Sequence, residues 1–262
     1  PCTILANGVP VPIPLEEKDN FKLTKEKLLS YITPKSKILV LPFPNNPTGA
    51  VMTAEELAVI AEIVIEKDLF VLTDEIYGEL TYGMEHTTIA SFPGLKERTV
   101  LINGFSKAYA MTGWRLGYAA APKDLIIAMN KIHQHNTTCA PSFVQRAAIT
   151  ALRGEGDEVE LMVREFERRR DYAVEAINKM EGASCVTPKG AFYIFINVKG
   201  LGRPCAEVAE YLLEEAKVAL VPGNVFGRNG EGYLRMSFAN SLDNIAEGCG
   251  KMKQAFTELS GK

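Results

Sequence analysis

Several polar side chains in this sequence are of types that bond covalently to a carbonyl group, move protons or hold anions. A carboxylate, Asp74, is followed three residues later by Tyr77, and a lysine, Lys107, is followed eight residues later by Arg115. A lysine amine can act as a nucleophile and as a general base. A carboxylate can pair with a protonated nitrogen, and an arginine offers a planar fork that fits phosphate or carboxylate.

Three of the polar side chains follow short apolar segments that are typical of buried β-strands. Such segments precede Asn46, Asp74 and Lys107 in turn. Because the apolar residues do not alternate with polar ones, they indicate a parallel or mixed sheet covered on both faces. Ligands bind at the carboxyl ends of strands in such sheets, so we expect these three side chains to share a site. The segments are residues 37–41, 70–73 and 100–102.

The rest of the chain predicts a helix-bearing sheet followed by a second, smaller unit. Thr53 and Glu56 form a capping-box pattern before a helix, and residues 116–121 predict a fourth strand. We therefore predict an α/β fold: an incomplete large domain with a three-layer mixed, mostly parallel sheet in residues 1–160, and a C-terminal α+β small domain in residues 161–262. The small domain is predicted to contain strands at 191–198, 218–221 and 233–238, a helix at 204–217 and a last helix capped by Ser241. A long helix at 157–180 is predicted to bridge the two domains.

These residue types match what a pyridoxal phosphate site requires. The cofactor is an electron sink that needs a lysine for covalent attachment and a carboxylate beside its ring nitrogen. It also needs hydrogen-bond donors near its phenolic oxygen, cations for its phosphate, and an arginine for the substrate carboxylate. Arg235, within an apolar strand of the second half, is available for the last task.

Six segments, in this order along the chain, resemble the class I/II aminotransferases of fold type I. The aspartate and aromatic amino acid branch is the most similar. One such motif alone would be weak, whereas the ordered set covers nearly the whole chain. The segments are NNPTG at 45–49, TDEIY at 73–77, GFSKAYAMTGWRLGY at 104–118, PKGAFY at 188–193, VPGNVFG at 221–227 and YLRMS at 233–237.

The resemblance implies catalytic roles for Lys107, Asp74 and Tyr77. Lys107 would form a Schiff base with the cofactor and, once released, move a proton to and from the substrate α-carbon. Asp74 would pair with the cofactor's ring nitrogen and keep it protonated. Tyr77 and Asn46 would hydrogen-bond to the phenolic oxygen.

The resemblance also assigns the two anion-binding tasks. Ser106 and Arg115 would hold the cofactor phosphate, although the family often places its phosphate-binding serine or threonine where this chain has Gly104. Arg235 would bind the substrate α-carboxylate through two parallel hydrogen bonds, with Asn46 in the same substrate site. The implied function is a transaminase that moves an amino group between an amino acid and a 2-oxo acid.

Members of this family have about 400 residues, close to the size of two ordinary domains. We therefore expect this chain to lack the first third of the fold, including a phosphate-binding loop and an aromatic residue that stacks on the cofactor. Whether the chain alone is active is left open. The resemblance further implies a homodimer with its active site at the subunit interface.

The charge, apolar runs and cysteines of the chain indicate which kinds of partner and compartment it suits. The net charge of -3 leaves no basic excess for nucleic acid, and no apolar run is long enough for a membrane span or a secretory signal. Five cysteines, an odd number without a C-x-x-C pair, favour a reducing cytoplasm over a disulfide framework or a zinc site.

Three other functions remain open from the sequence. A carbon–sulfur lyase of the same fold would use the same Lys107 and Asp74. An aminotransferase-like domain that senses a ligand for a transcription regulator would follow a basic winged helix. A structural role without activity is the third. Among transaminase substrates, the aspartate and aromatic types are favoured and the choice between them is open.

Overall fold

The computed structural model describes residues 2–154 and 156–261. The predicted carboxylate, Asp74, lies in its first sheet, and the predicted lysine, Lys107, follows one of the strands of that sheet. Its strands lie in chain order, with the first three parallel and the fourth antiparallel to the third. The predicted mixed, mostly parallel sheet is therefore confirmed. The strands are β1 (Ile38–Leu41), β2 (Phe70–Asp74), β3 (Thr99–Gly104) and β4 (Gly117–Ala120).

Helices connect and flank this sheet. The predicted capping box begins α3: the Thr53 hydroxyl accepts from the amide of Glu56, whose carboxylate accepts from the amide of Thr53. Residues Leu57, Ile60 and Val64 of α3 then pack against the sheet. The helices of this half are α1 (Cys2–Leu5), α2 (Lys25–Tyr31), α3 (Ala54–Glu66), α4 (Lys123–Asn136) and α5 (Ser142–Arg153).

The two faces of the first sheet differ in burial. Leu39, Leu41 and Val71 are buried under α3. Their neighbours on the other face are exposed: Ile38 by 61% and Phe70 by 45%. Alternate residues of a strand point to opposite faces, so among the described residues α3 covers one face and β1 and β2 lack the second covering layer that the sequence predicted.

The second half forms an antiparallel sheet with helices on it. Its order is β5–β6–β8–β7, and the central pair runs in register from Tyr193 opposite Ser237 to Asn197 opposite Tyr233. Residues 218–220, predicted as part of a strand, are irregular. Pairing with β8 is limited to Val221 and Pro222, which follow them. The elements are β5 (Ser184–Cys185), β6 (Tyr193–Asn197), β7 (Val221–Pro222), β8 (Tyr233–Ser237), α6 (Asp157–Ile177), α7 (Cys205–Glu214) and α8 (Leu242–Ser260).

Hydrogen bonds to backbone carbonyls hold the two halves of the chain against each other. The amides of Lys189 and Gly190 donate to the carbonyl of Gly49 at 3.0 and 2.9 Å. The amide of Ala191 donates to the carbonyl of Leu80, and the Tyr82 hydroxyl donates to the carbonyl of Ala191. The division at residues 160 and 161 stays a prediction, and α6, which begins at Asp157, runs across it.

Residues 2–154 and 156–261 contain neither a candidate membrane-spanning helix nor a candidate metal-binding cluster. None of the helices there combines the length and apolar character needed to cross a bilayer. No group of three or more His, Cys, Asp or Glu side chains is arranged to hold a metal ion.

The capping box of α3 can be tested by its effect on stability. Replacing Thr53→Ala removes the hydroxyl that caps the helix, so we expect the free energy of unfolding to fall by about 1 kcal/mol in urea titrations. Thr53→Ser keeps the hydroxyl and should stay near the unsubstituted protein. Equal losses in both variants would contradict this role.

Candidate functional site

The lysine, carboxylate and tyrosine are brought together at the carboxyl ends of β2 and β3. Asp74, the last residue of β2, lies opposite Ile102 of β3. Lys107 follows the end of β3, and its Nζ lies 5.9 Å from the centre of the Tyr77 ring and 5.5 Å from that of Phe192. Phe192 belongs to the second half of the chain, so the amine lies where the two halves meet.

Arg235 reaches the same place from the small sheet. Its Nη1 donates to Oδ1 of Asn46 at 2.9 Å, which connects residues 189 positions apart in sequence. The guanidinium carbon lies 4.6 Å from the centre of the Tyr193 ring and 4.9 Å from that of Phe226, distances typical of cation–π contacts. These contacts fix the arginine from the small sheet, while Asn46 fixes it from the large one.

The Tyr77 hydroxyl is buried and already hydrogen-bonded. It lies 3.0 Å from the Tyr193 hydroxyl. Burial, and then the hydrogen bond with Tyr193, hold the pKa of Tyr77 well above its usual value, while the positive charge of Arg235 lowers it and the negative charge of Asp74 raises it. Tyr77 is therefore a neutral hydrogen-bonding group at neutral pH, within the electrostatic reach of both ionic side chains.

Ser106 and Arg115 lie on the two arms of the β3–β4 connection. The register pairs Gly104 with Gly117, and the Phe105 amide donates to the carbonyl of Leu116, so Ser106 follows and Arg115 precedes a paired position. Arg115 is exposed, has a left-handed φ of 52°, and donates from Nη1 to the carbonyl of Thr112. This hydrogen bond lies within the loop that carries Arg115.

Three aromatic side chains at this site were not singled out by sequence reasoning. Phe192 contacts Lys107, Tyr193 contacts both Tyr77 and Arg235, and Phe226 contacts Arg235. Phe192 and Tyr193 lie in the recognised PKGAFY segment, and Phe226 in VPGNVFG. That segment context was the only signal available, because their contacts depend on how the halves pack.

The assembled groups can perform a definite chemistry. An amine next to buried aromatic rings can attack an aldehyde and transfer protons. The nearby carboxylate can stabilise a cationic nitrogen, and the guanidinium can hold a carboxylate anion. A ligand with an aldehyde, a ring nitrogen and an anionic group would meet a complementary partner for each.

The chain is similar to known proteins along most of its length. The family model described as aminotransferase class I and II matches residues 2–252. A putative aminotransferase, YugH, of Bacillus subtilis is 48% identical over 250 residues, which is 95% of this chain and 64% of the relative. An aspartate aminotransferase of Pyrococcus abyssi is 44% identical, with 98% of this chain and 67% of the relative aligned.

The solved structures agree with the relatives. The aromatic aminotransferase from Pyrococcus horikoshii superposes with a TM-score of 0.95 at 44% identity, covering 98% of this chain and 69% of that one. This match confirms the fold that the sequence resemblance implied. The chain spans 64% of the length of its Bacillus subtilis relative, less than two thirds.

The turn that carries Asn46 depends on Gly49, which gives a second testable prediction. Gly49 has a φ of +68°, and a Cβ there would lie 2.3 Å from Cβ of Pro188. We expect Gly49→Ala to lower the free energy of unfolding by about 2 kcal/mol, through overpacking and backbone strain.

Gly248→Ala is the matched control, because a Cβ at this α8 position meets nothing within 4 Å. It should be neutral or raise stability by up to about 1 kcal/mol, since alanine favours helix over glycine. Urea unfolding of both variants measures the difference, and equal effects would contradict the packing role of Gly49.

Proposed function

This chain belongs to the class I and II aminotransferase family, and we propose that it transfers an amino group between an amino acid and a 2-oxo acid with pyridoxal phosphate as cofactor. The observation that carries the proposal is the meeting of Lys107 with groups from both halves of the chain. The charges of Asp74 and Arg235 both affect the pKa of Tyr77, whose ring lies beside this lysine.

The residues at the ring end of the site fit the cofactor by their chemistry. Lys107 offers the amine that an aldehyde requires, and Asp74 offers the carboxylate that a protonated ring nitrogen requires. Tyr77 and Asn46 offer an O–H and an N–H for the phenolic oxygen. When bound, pyridoxal phosphate supplies an electron-withdrawing ring that stabilises negative charge at the substrate α-carbon.

Ser106 and Arg115 are the proposed phosphate ligands of this chain. The hydroxyl and the guanidinium are both suited to phosphate, and both residues lie in the connection between β3 and β4. Arg115 would exchange its hydrogen bond to the carbonyl of Thr112 for the phosphate. Gly104 at the family's usual hydroxyl position leaves Ser106 as the hydroxyl nearest Lys107 in sequence.

The chain's own residues account for substrate binding and proton movement. Arg235, held against Asn46, would bind the α-carboxylate that every amino acid and 2-oxo acid carries. Lys107 Nζ would take the proton from the substrate α-carbon and, in the reverse half-reaction, return it. Phe192 and Tyr77, whose rings lie beside this amine, would limit the access of water to it.

We further propose substrates of the aspartate or aromatic type. Relatives with these names are 44% identical to this chain, and aromatic rings lie around Arg235 and Lys107. The reported relatives give no support to the carbon–sulfur lyase or the regulator domain. The choice between the two substrate types depends on the group that receives the substrate side chain.

A cytoplasmic homodimer is the assembly that we propose. All five cysteines lie among the described residues and are free thiols, which suits a reducing compartment. Ile132 of α4 and Phe143 of α5 expose large apolar side chains, and Phe143 pairs with the exposed ring of Trp114 at 6.4 Å. Such surfaces are typical of contacts with another protein surface.

The attachment of the cofactor gives the first functional prediction. After pyridoxal phosphate is added and the unbound cofactor, which absorbs in the same range, is removed by gel filtration, the protein should retain an absorbance band at about 360–430 nm that bleaches when an amino donor is added. Lys107→Ala should lack this band because it lacks the amine. Lys123→Ala, at an exposed position of α4, should keep it. A band of equal strength in the Lys107→Ala variant would refute the assignment.

Substrate binding by Arg235 gives the second. Arg235→Lys keeps the charge but loses the planar fork, so KM should rise about ten-fold or more for the amino acid and the 2-oxo acid alike. Arg228→Lys, in the neighbouring exposed loop, should leave both KM values unchanged. A rise for only one of the two substrates would contradict binding of the shared α-carboxylate.

A further inference from the structure

A buried carboxylate lies immediately after Asp74 and is not used by the chemistry described above. Glu75 is 3% exposed. Its Oε1 accepts from the hydroxyls of Thr88 at 2.6 Å and Thr73 at 3.1 Å. Its Oε2 lies 2.8 Å from Nε2 of His86, where an N–H donates to the carboxylate. Three side chains thus satisfy one buried acid.

Burial of the Glu75 carboxylate costs free energy unless all of its hydrogen-bonding partners are present. A carboxylate removed from water loses hydration that only specific partners can replace, and removal of one partner leaves an uncompensated polar group. The side chains that satisfy Glu75 come from β2 and from the loop at residues 86–88. The carboxylate therefore ties that loop to the end of the strand.

The carboxylate network flanks Asp74 on both sides. Thr73 and Glu75 are buried neighbours of Asp74, and alternate residues of a strand point to opposite faces. The Thr73 hydroxyl is within hydrogen-bonding distance of both the Glu75 carboxylate and the carbonyl of Leu41. Asp74 Oδ1 in turn accepts from the amide of Ile76 at 3.2 Å. The backbone on each side of Asp74 is thus held from the core.

The same network supports the turn that carries Tyr77. The amide of Gly78 donates to the carbonyl of Glu75 at 2.8 Å. A Cβ at Gly78 would lie 3.0 Å from Cδ2 of His86, so the imidazole packs directly against this turn. His86 therefore contacts the turn with its ring and the strand end through its hydrogen bond to Glu75.

From this geometry we propose that Glu75 and His86 form a positioning pair, which fixes Asp74 and Tyr77 in the orientation that the cofactor ring requires. The inference rests on the proposed function, because it takes Asp74 and Tyr77 as cofactor ligands. Glu75 and His86 act through the backbone of residues 74–78, and both lie on the core side of the strand end.

The test compares three variants with a matched control. Glu75→Gln removes the charge at nearly constant size. His86→Phe keeps a ring against Gly78 but removes the donor, and His86→Gln restores a side-chain N–H. Arg98→Gln is the control, because Arg98 pairs with Asp68 at 2.9 Å at the opposite ends of the same two strands. Urea unfolding of each variant verifies that it folds.

Two readouts separate positioning from general stability. Amide hydrogen exchange in the cofactor-free protein reports the order of residues 74–78 and, for comparison, of 99–104. Titration with pyridoxal phosphate reports its dissociation constant. We expect Glu75→Gln and His86→Phe to speed exchange at 74–78 selectively, and to weaken binding about ten-fold, the size of one lost hydrogen bond to a charged group. His86→Gln should recover most of the affinity, and Arg98→Gln should change neither readout.

Other outcomes would overturn the proposal in distinguishable ways. Unchanged affinity in both Glu75→Gln and His86→Phe would remove the positioning role. Exchange that rises equally at 74–78 and 99–104 would show that Glu75 and His86 only stabilise the core in general. If the unsubstituted protein failed to bind pyridoxal phosphate, the proposed function would fall, and the inference about the cofactor with it. Exchange in the cofactor-free protein would still show whether the pair orders residues 74–78.

Discussion

The hydrogen bonds from Lys189 and Gly190 to the carbonyl of Gly49 are the constraint on which the site depends. They hold the turn after β1 against the segment that leads into β6. Because of this contact, Asn46 meets Arg235 across the two sheets, and Phe192 lies beside Lys107. Without it, each sheet would carry an incomplete set of groups. The chemistry thus depends on backbone hydrogen bonds between Gly49 and a segment that begins 140 residues later, at Lys189.

Burial and charge act together at the resulting site. Burial and the hydrogen bond with Tyr193 raise the pKa of the Tyr77 hydroxyl. Arg235 keeps a permanent charge beside aromatic rings, where a guanidinium is stabilised more readily than an ammonium. On the core side of the strand end, Glu75 adds a second carboxylate, which is hydrogen-bonded to Thr73, Thr88 and His86. Asp74 and Glu75 are adjacent in sequence and are suited to different tasks by their surroundings.

The sequence predicted those features that local physics determines. The Thr53 capping box, the strand before Asp74 and the Ser241 cap depend on a few neighbouring residues, and each was predicted correctly. Residues 218–220 have the apolar character of a strand but find no partner to pair with, so their prediction failed. The aromatic contacts of Phe226 could not be predicted because they arise between segments distant in sequence. The roles assigned to the site residues stay proposals.

The central claim is that Lys107 holds the cofactor, and chemical trapping tests it most directly. Borohydride reduction of the protein with bound pyridoxal phosphate fixes the cofactor to the amine that carries it. Peptide mapping by mass spectrometry then locates the modified residue. The account predicts one dominant phosphopyridoxyl peptide, modified at Lys107. Modification spread over exposed lysines, or concentrated at another lysine, would contradict it.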